Sequence, residues 1–245
     1  MKERIINKIK REFGIFRQQI SIPEYIFWWV CRGIMIYTVV TTYINPSSGH
    51  FDLQMRANTI FLFILPYLHI LPRKFTFLAR LHYRAQTIVC FMVICTSFLG
   101  NFVDVYGMWE YYDTFIHFVA GVICVPVGYY LLEAFSKEGE KHSTLSKTVA
   151  GFGLSCFATL FWECYEFTFD WIMGSTTQGW SDTPPAELIE RFPTDPGRYP
   201  LFDTMSDEIA GFLGAFITSL IARCVLEYIE HKRSKASAPE ITVTR

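Results

Sequence analysis

Residues 112–135 read YDTFIHFVAGVICVPVGYYLLEAF. They are twenty-four residues with no Lys or Arg and only Asp113 and Glu133 charged, enough to cross the roughly 30 Å hydrocarbon core of a bilayer as one helix. Five further apolar stretches flank this one, so candidate spans fall at 24–44, 57–72, 85–108, 112–135, 148–173 and 203–228. The second is short, contains Pro66 and ends at Pro72, which predicts a kinked or partly re-entrant segment. Composition agrees: 51% of the 245 residues are hydrophobic and 17% aromatic, more apolar surface than a soluble domain of this size can hide. The expected fold is all-α, a polytopic transmembrane helical bundle of about six spans.

Basic residues orient the spans. Lys2, Arg4, Lys8, Lys10, Arg11 and Arg17 precede the first; Arg73, Lys74, Arg80 and Arg84 follow the second. Lys137, Lys141 and Lys147 follow the fourth, and Lys232, Arg233 and Lys235 follow the last. The alternate connections hold only Arg56, Arg191 and Arg198. This one-sided bias predicts cytoplasmic N- and C-termini. Residues 1–23 read as a basic amphipathic segment on the inner leaflet, 24–228 as the membrane domain, and 229–245 as a disordered cytoplasmic tail. Segment 73–84 has the same surface-lying character as 1–23. The loop 174–202 is long enough to form an extracytoplasmic lid; within it Asp182 to Phe192 suggests a short capped helix, with Gln178, Trp180 and Arg198 expected to face the acid-lined funnel described below.

A net charge of −1 excludes a nucleic-acid footprint. The seven cysteines (31, 90, 95, 124, 156, 164, 224) have neither zinc-ribbon nor disulfide-framework spacing and read as small hydrophobes in helix cores.

The ionisable residues inside the spans are not scattered. Asp113 and His117 are four apart, and Glu163, Glu166 and Asp170 form an i, i+3, i+7 stripe. Asp203 and Asp207 are again four apart. With the topology above, all these groups fall in the outer half of the membrane, in an acid-lined, outward-open funnel with Glu163 at its base. Clustered carboxylates in a low dielectric need bound cations, shared protons or partner bases. Asp113, His117, Glu163, Glu166, Asp203 and Asp207 are the candidate ligands of a divalent metal cation, one His among carboxylates suiting a hard or borderline ion. Glu163 and Glu166 are the candidate general bases, and Asp170, Gln178 and Arg32 are auxiliary, Arg32 reaching toward Glu163. Capping by Asp113 or Asp203 is the competing structural explanation. Gly121, Gly151, Gly153, Gly211 and Gly214 mark close helix approach.

Three segments, Tyr112-Asp113-Thr114-Phe115-Ile116-His117-Phe118-Val119-Ala120-Gly121, Trp162-Glu163 with Glu166-Phe167, Asp170, Gly174 and Gln178, and Asp203-Thr204-Met205-Ser206-Asp207, together resemble the YjdF-like family of bacterial inner-membrane proteins. The pattern is more distantly similar to the VanZ-like proteins associated with glycopeptide resistance, from which it departs at Thr114, where a Lys often follows the first Asp, and at Glu208-Ile209. The resemblance spans residues 84–228 and implies a multi-pass protein of the bacterial cytoplasmic membrane whose polar residues act as a unit. Three functions fit these observations. One is a metal-assisted hydrolase or transferase acting on a membrane lipid or cell-envelope precursor. The second is a cation- or proton-coupled small-solute transporter, and the third a structural subunit using its acids for helix packing.

Overall fold

A computed structural model of the chain describes residues 2–45, 51–70, 80–137, 139–174, 177–178, 190 and 199–236. They are helical nearly throughout: α1 (Lys2–Gln19), α2 (Ile22–Ile44), α3 (Phe51–Ile64) with a 3-10 continuation (Leu65–Ile70), α4 (Arg84–Val93) continuing as a π-helix (Ile94–Phe102), the short α5 (Val105–Met108), α6 (Tyr112–Phe135), α7 (Thr144–Met173) and α8 (Tyr199–Ala236). Five of these, with α4 and its π-helical continuation taken as one, are long and apolar enough to cross a membrane.

The segment expected at 57–72 is not among those five, yet it traverses the bundle. One end lies beside the π-helix, where Asn101 Nδ2 donates to Gln54 Oε1 (3.4 Å) and Asn58 Nδ2 to Ser97 Oγ (2.7 Å). At the other, His69 stacks on Tyr83 with ring centroids 3.8 Å apart. Fourteen α-helical and six 3-10 residues reach about 33 Å. Pro66 sets the change of helix type, because it has no N–H for the carbonyl of Leu62.

That carbonyl finds Arg32 instead. The guanidinium, buried on α2, donates to Leu62 O from Nε (3.1 Å) and Nη2 (2.8 Å), and to Trp28 O from Nη1 (3.1 Å). The rings of Trp28, Trp29 and Phe63 lie 5.4–5.9 Å from it. The expected reach of Arg32 toward Glu163 is therefore replaced by repair of a proline-broken helix. Arg32→Met should cost about 1–3 kcal/mol of stability by orphaning a buried carbonyl, and clearly less in a Pro66→Ala background, where residue 66 regains its donor. Thermal unfolding of the four proteins in detergent measures that coupling; equal costs in both backgrounds would refute it.

Other boundaries move for local reasons. α2 starts two residues early because Ser21 and Glu24 form a reciprocal capping box. The third span closes at Phe102, and Asp104 turns left-handed (φ 66°) before α5. α8 opens at Tyr199, so Asp203 lies a full turn inside the helix and does not cap it; α8 then continues to Ala236, so residues 229–236 of the expected disordered tail are helical.

α6, α7 and α8 form one tightly packed trio. A Cβ on Gly121 would run into the backbone carbonyl of Gly211, and one on Gly214 into that of Phe118. The α6–α8 crossing is thus backbone against backbone. Ser155 Oγ of α7 donates to Gly121 O (2.6 Å) at the same level. Gly153, by contrast, faces open space and takes no part in the packing expected of it.

Charge is polarised along the bundle. α2 and α4 start at the same end, where Arg84 Nε lies 3.5 Å from Glu24 Oε1, and His82 stacks on Tyr130 of α6 (4.5 Å). Arg84, Lys137, Lys141 and Lys147 gather at that end. The first turn of α6, the last turns of α7 and the first turns of α8, which carry the acids, lie at the other.

Candidate metal centre

The trio brings the polar stripes together because α6 enters, and α7 leaves, at the end where α8 begins. Asp113 stands in the first turn of α6, where the helix dipole favours a carboxylate, and His117 follows one turn on. From α7, Glu163 Oε1 approaches His117 Nε2 to 3.3 Å; Asp113 Oδ1 is 3.8 Å from the same nitrogen. Asp207 arrives from α8. One ligand atom each from Asp113, His117 and Asp207 lie within 4.8 Å of one another. Asp207 is 1% exposed, and His117 and Glu163 are each 4% exposed.

Three buried atoms of these residues make no hydrogen bond, His117 Nδ1, Glu163 Oε1 and Asp207 Oδ1, the Glu163 oxygen having only its 3.3 Å approach to His117 Nε2. Buried polar atoms are nearly always satisfied. Among the described residues no Lys or Arg pairs with Asp113, Glu163, Glu166 or Asp207. Among these residues, neutralisation falls to protons or a bound cation.

Of the six predicted ligands, Asp113, His117 and Asp207 converge and Glu163 touches the set. Glu166 is turned aside, its Oε1 accepting from Trp162 Nε1 (2.8 Å). Asp203 lies outside the converging set. Asp170 organises the chain that follows α7. After Gly174 closes the helix in the left-handed conformation, the Asp170 carboxylate accepts from Thr177 N (2.9 Å), Thr177 Oγ1 (2.6 Å) and Gln178 N (3.0 Å). Gln178 Nε2 then donates to Thr204 Oγ1 (3.0 Å) and approaches Glu163 O (3.5 Å), which brings this side chain to the edge of the site. The converging side chains are largely buried, Asp113 being the most exposed of the three, with 26% of its side chain accessible. Trp180, Arg191, Arg198 and the helix expected over 182–192 lie outside the described residues, apart from Glu190, as do Arg73, Lys74 and most of the surface segment expected at 73–84.

Sequence spacing missed two hydroxyls. Thr114 lies beside Asp207 and Thr204 beside Glu163; each stands one residue after an acid already singled out, the only signal available. It also missed Tyr106, whose phenol lies within electrostatic reach of Asp113, Glu166 and Asp207.

A family model described as a predicted membrane protein matches residues 27–228. The chain belongs to the DUF2238 family. That match extends the family likeness through the first two spans and is consistent with the YjdF-like resemblance. No curated protein and no solved structure matches the chain. Family membership and the five apolar helices make this DUF2238 chain a membrane protein.

Proposed function

We propose that this DUF2238 protein holds a divalent cation between Asp113, His117 and Asp207 and uses it for metal-assisted hydrolysis or transfer on a lipid or cell-envelope precursor. The observation carrying this reading is the convergence of those three ligands, from two helices, beside buried N and O atoms that make no hydrogen bond. Two carboxylates and a neutral imidazole give a dication a charge-balanced site, and the donor set suits Zn²⁺ or Mn²⁺. A bound cation would polarise a phosphoryl or carbonyl oxygen, or lower the pKa of a coordinated water. Glu163, against the histidine, is better placed than Glu166 to accept a proton; the Trp162 indole already engages Glu166. Asp170 acts as a positioning residue, holding Thr177 and Gln178 against the site.

The proposed setting is the bacterial cytoplasmic membrane, with both termini inside and the site toward the outer face. The separation of the basic end from the acidic end supports that orientation. A transport path is less well supported, because hydroxyls that would extend one inward are engaged locally: Ser155 on Gly121 O (2.6 Å) and Thr159 on Cys156 O (3.0 Å).

Elemental analysis of purified protein tests the reading. Wild type should carry about one divalent ion per chain, His117→Ala and Asp207→Asn well under half of that, and Glu163→Gln an intermediate amount. Wild type without stoichiometric metal after reloading would overturn the proposal.

A further inference from the structure

A second cluster of chemically capable side chains lies away from the acids. Cys31 and Met35 of α2 are one turn apart on one face, 1% and 0% exposed, and Cys90 of α4 is 0% exposed in the same core cluster. Cys31 and Cys90 thus meet in one buried cluster where α2 packs on α4. Arg32, the residue after Cys31, is buried against Trp28 and Leu62 of the same cluster. Its guanidinium is buried and donates to the backbone carbonyls of Trp28 and Leu62, and no carboxylate pairs with it among the described residues. A buried cation without an anion is costly, and two thiols supply none while both stay protonated.

We infer that Cys31 and Cys90 form a two-coordinate site for a soft monovalent cation, cuprous ion in the first instance, with the Met35 thioether as an auxiliary donor. Thiolates and thioethers select Cu(I) over harder ions. The ion displaces one proton from each thiol, both leaving to solvent, and forms two Cu–S bonds without change of oxidation state. The resulting bis-thiolate complex carries one negative charge, which the Arg32 guanidinium balances. The apolar neighbours Trp28, Leu62 and Val93 keep water and hard ligands away. The two candidate sites thus differ in kind: oxygen and nitrogen donors for a dication in the trio, sulfur donors for a monocation between α2 and α4.

Anaerobic titration of the detergent-purified full chain with Cu(I), against a chromophoric Cu(I) chelator, tests this. Wild type should take one tightly held equivalent, with sulfur-only scattering around copper in X-ray absorption. Cys31→Ser or Cys90→Ser should weaken that equivalent on the order of a hundredfold, Met35→Leu less, and the exposed Cys164→Ser not at all. Arg32→Met placed in the Pro66→Ala background, where the Leu62 carbonyl has its own donor, should weaken it about tenfold through loss of the counter-charge. Wild type holding Cu(I) no more tightly than the Cys31 and Cys90 variants would overturn the proposal. So would oxygen or nitrogen scatterers in the wild-type copper shell, a measurement that stands even if the cysteine variants fail to fold. A Cys31–Cys90 disulfide found by mass spectrometry in anaerobically purified protein would overturn it equally.

Discussion

Gly121→Val should abolish the folded protein or destabilise it by about 3 kcal/mol or more, the upper range for overpacking. The reason is what the new side chain meets. A Cβ there collides with the Gly211 carbonyl, and Ala215 N lies 3.0 Å away. Both are backbone atoms of α8 and cannot rotate aside as a side-chain tip would. Relief requires α8 to shift bodily, which also strains the Ser155 bond to Gly121 O and the contact of Gly214 with the Phe118 carbonyl. Gly121→Ala should already be damaging. The matched control is Gly153→Ala on α7, where the added methyl meets nothing within 4 Å and helix propensity favours Ala over Gly by up to about 1 kcal/mol. Thermal unfolding in detergent compares them; similar melting temperatures for Gly121→Val and wild type would refute the packing account. Any Gly121 variant that survives should also lose metal, because moving α8 carries Asp207 away from Asp113 and His117.

What is legible in the sequence is whatever repeats with the helical period. Asp113 and His117 are four apart, and Glu163, Glu166 and Asp170 share a stripe, so spacing alone tells which side of each helix carries its acids. The basic residues add which ends lie together. The identity of each group's partner is not legible. Charge attraction alone points Arg32 toward Glu163, whereas its partner is a carbonyl that Pro66, thirty-four residues later, leaves without a donor. That pairing depends on α3 running antiparallel beside α2, a long-range fact with no local trace. Glu166 is on the predicted stripe but one indole N–H diverts it. The π-helical Ile94–Phe102 carries no composition that forecasts it, nor is the bond from Tyr112 OH to the Cys95 carbonyl within it (2.9 Å) foreshadowed. Cys31 and Cys90 read as ordinary core residues because their contact joins two helices separated by the whole of α3.

Metal removal and Asp207→Asn should move stability in opposite directions, which is the sharpest way to tell a cation site from helix packing. In metal-free wild type, Asp113, Glu163, Glu166 and Asp207 share a buried region in which Lys and Arg partners are lacking among the described residues; the cluster must take up protons or strain the fold. A divalent ion at about one hundred times its dissociation constant should then stabilise the native state by about 2.7 kcal/mol, roughly a 5–10 °C rise in melting temperature for a chain of this length. Asp207→Asn keeps the shape of the side chain, removes one of the crowded charges and deletes a ligand. The metal-free variant should therefore melt above metal-free wild type, while adding Zn²⁺ or Mn²⁺ should barely shift it. His117→Ala removes a ligand without removing negative charge, so it should lose the metal-dependent rise and gain nothing in the metal-free state. If the acids serve only to pack helices, chelation leaves wild type unmoved and both substitutions simply lower the melting temperature, each by the polar contacts it deletes. Melting curves of the three proteins, recorded in chelator and again in excess Zn²⁺ or Mn²⁺, give six values whose order differs between the two accounts. A metal-free Asp207→Asn protein that melts below metal-free wild type would count against crowded charge at this site, whatever the metal content.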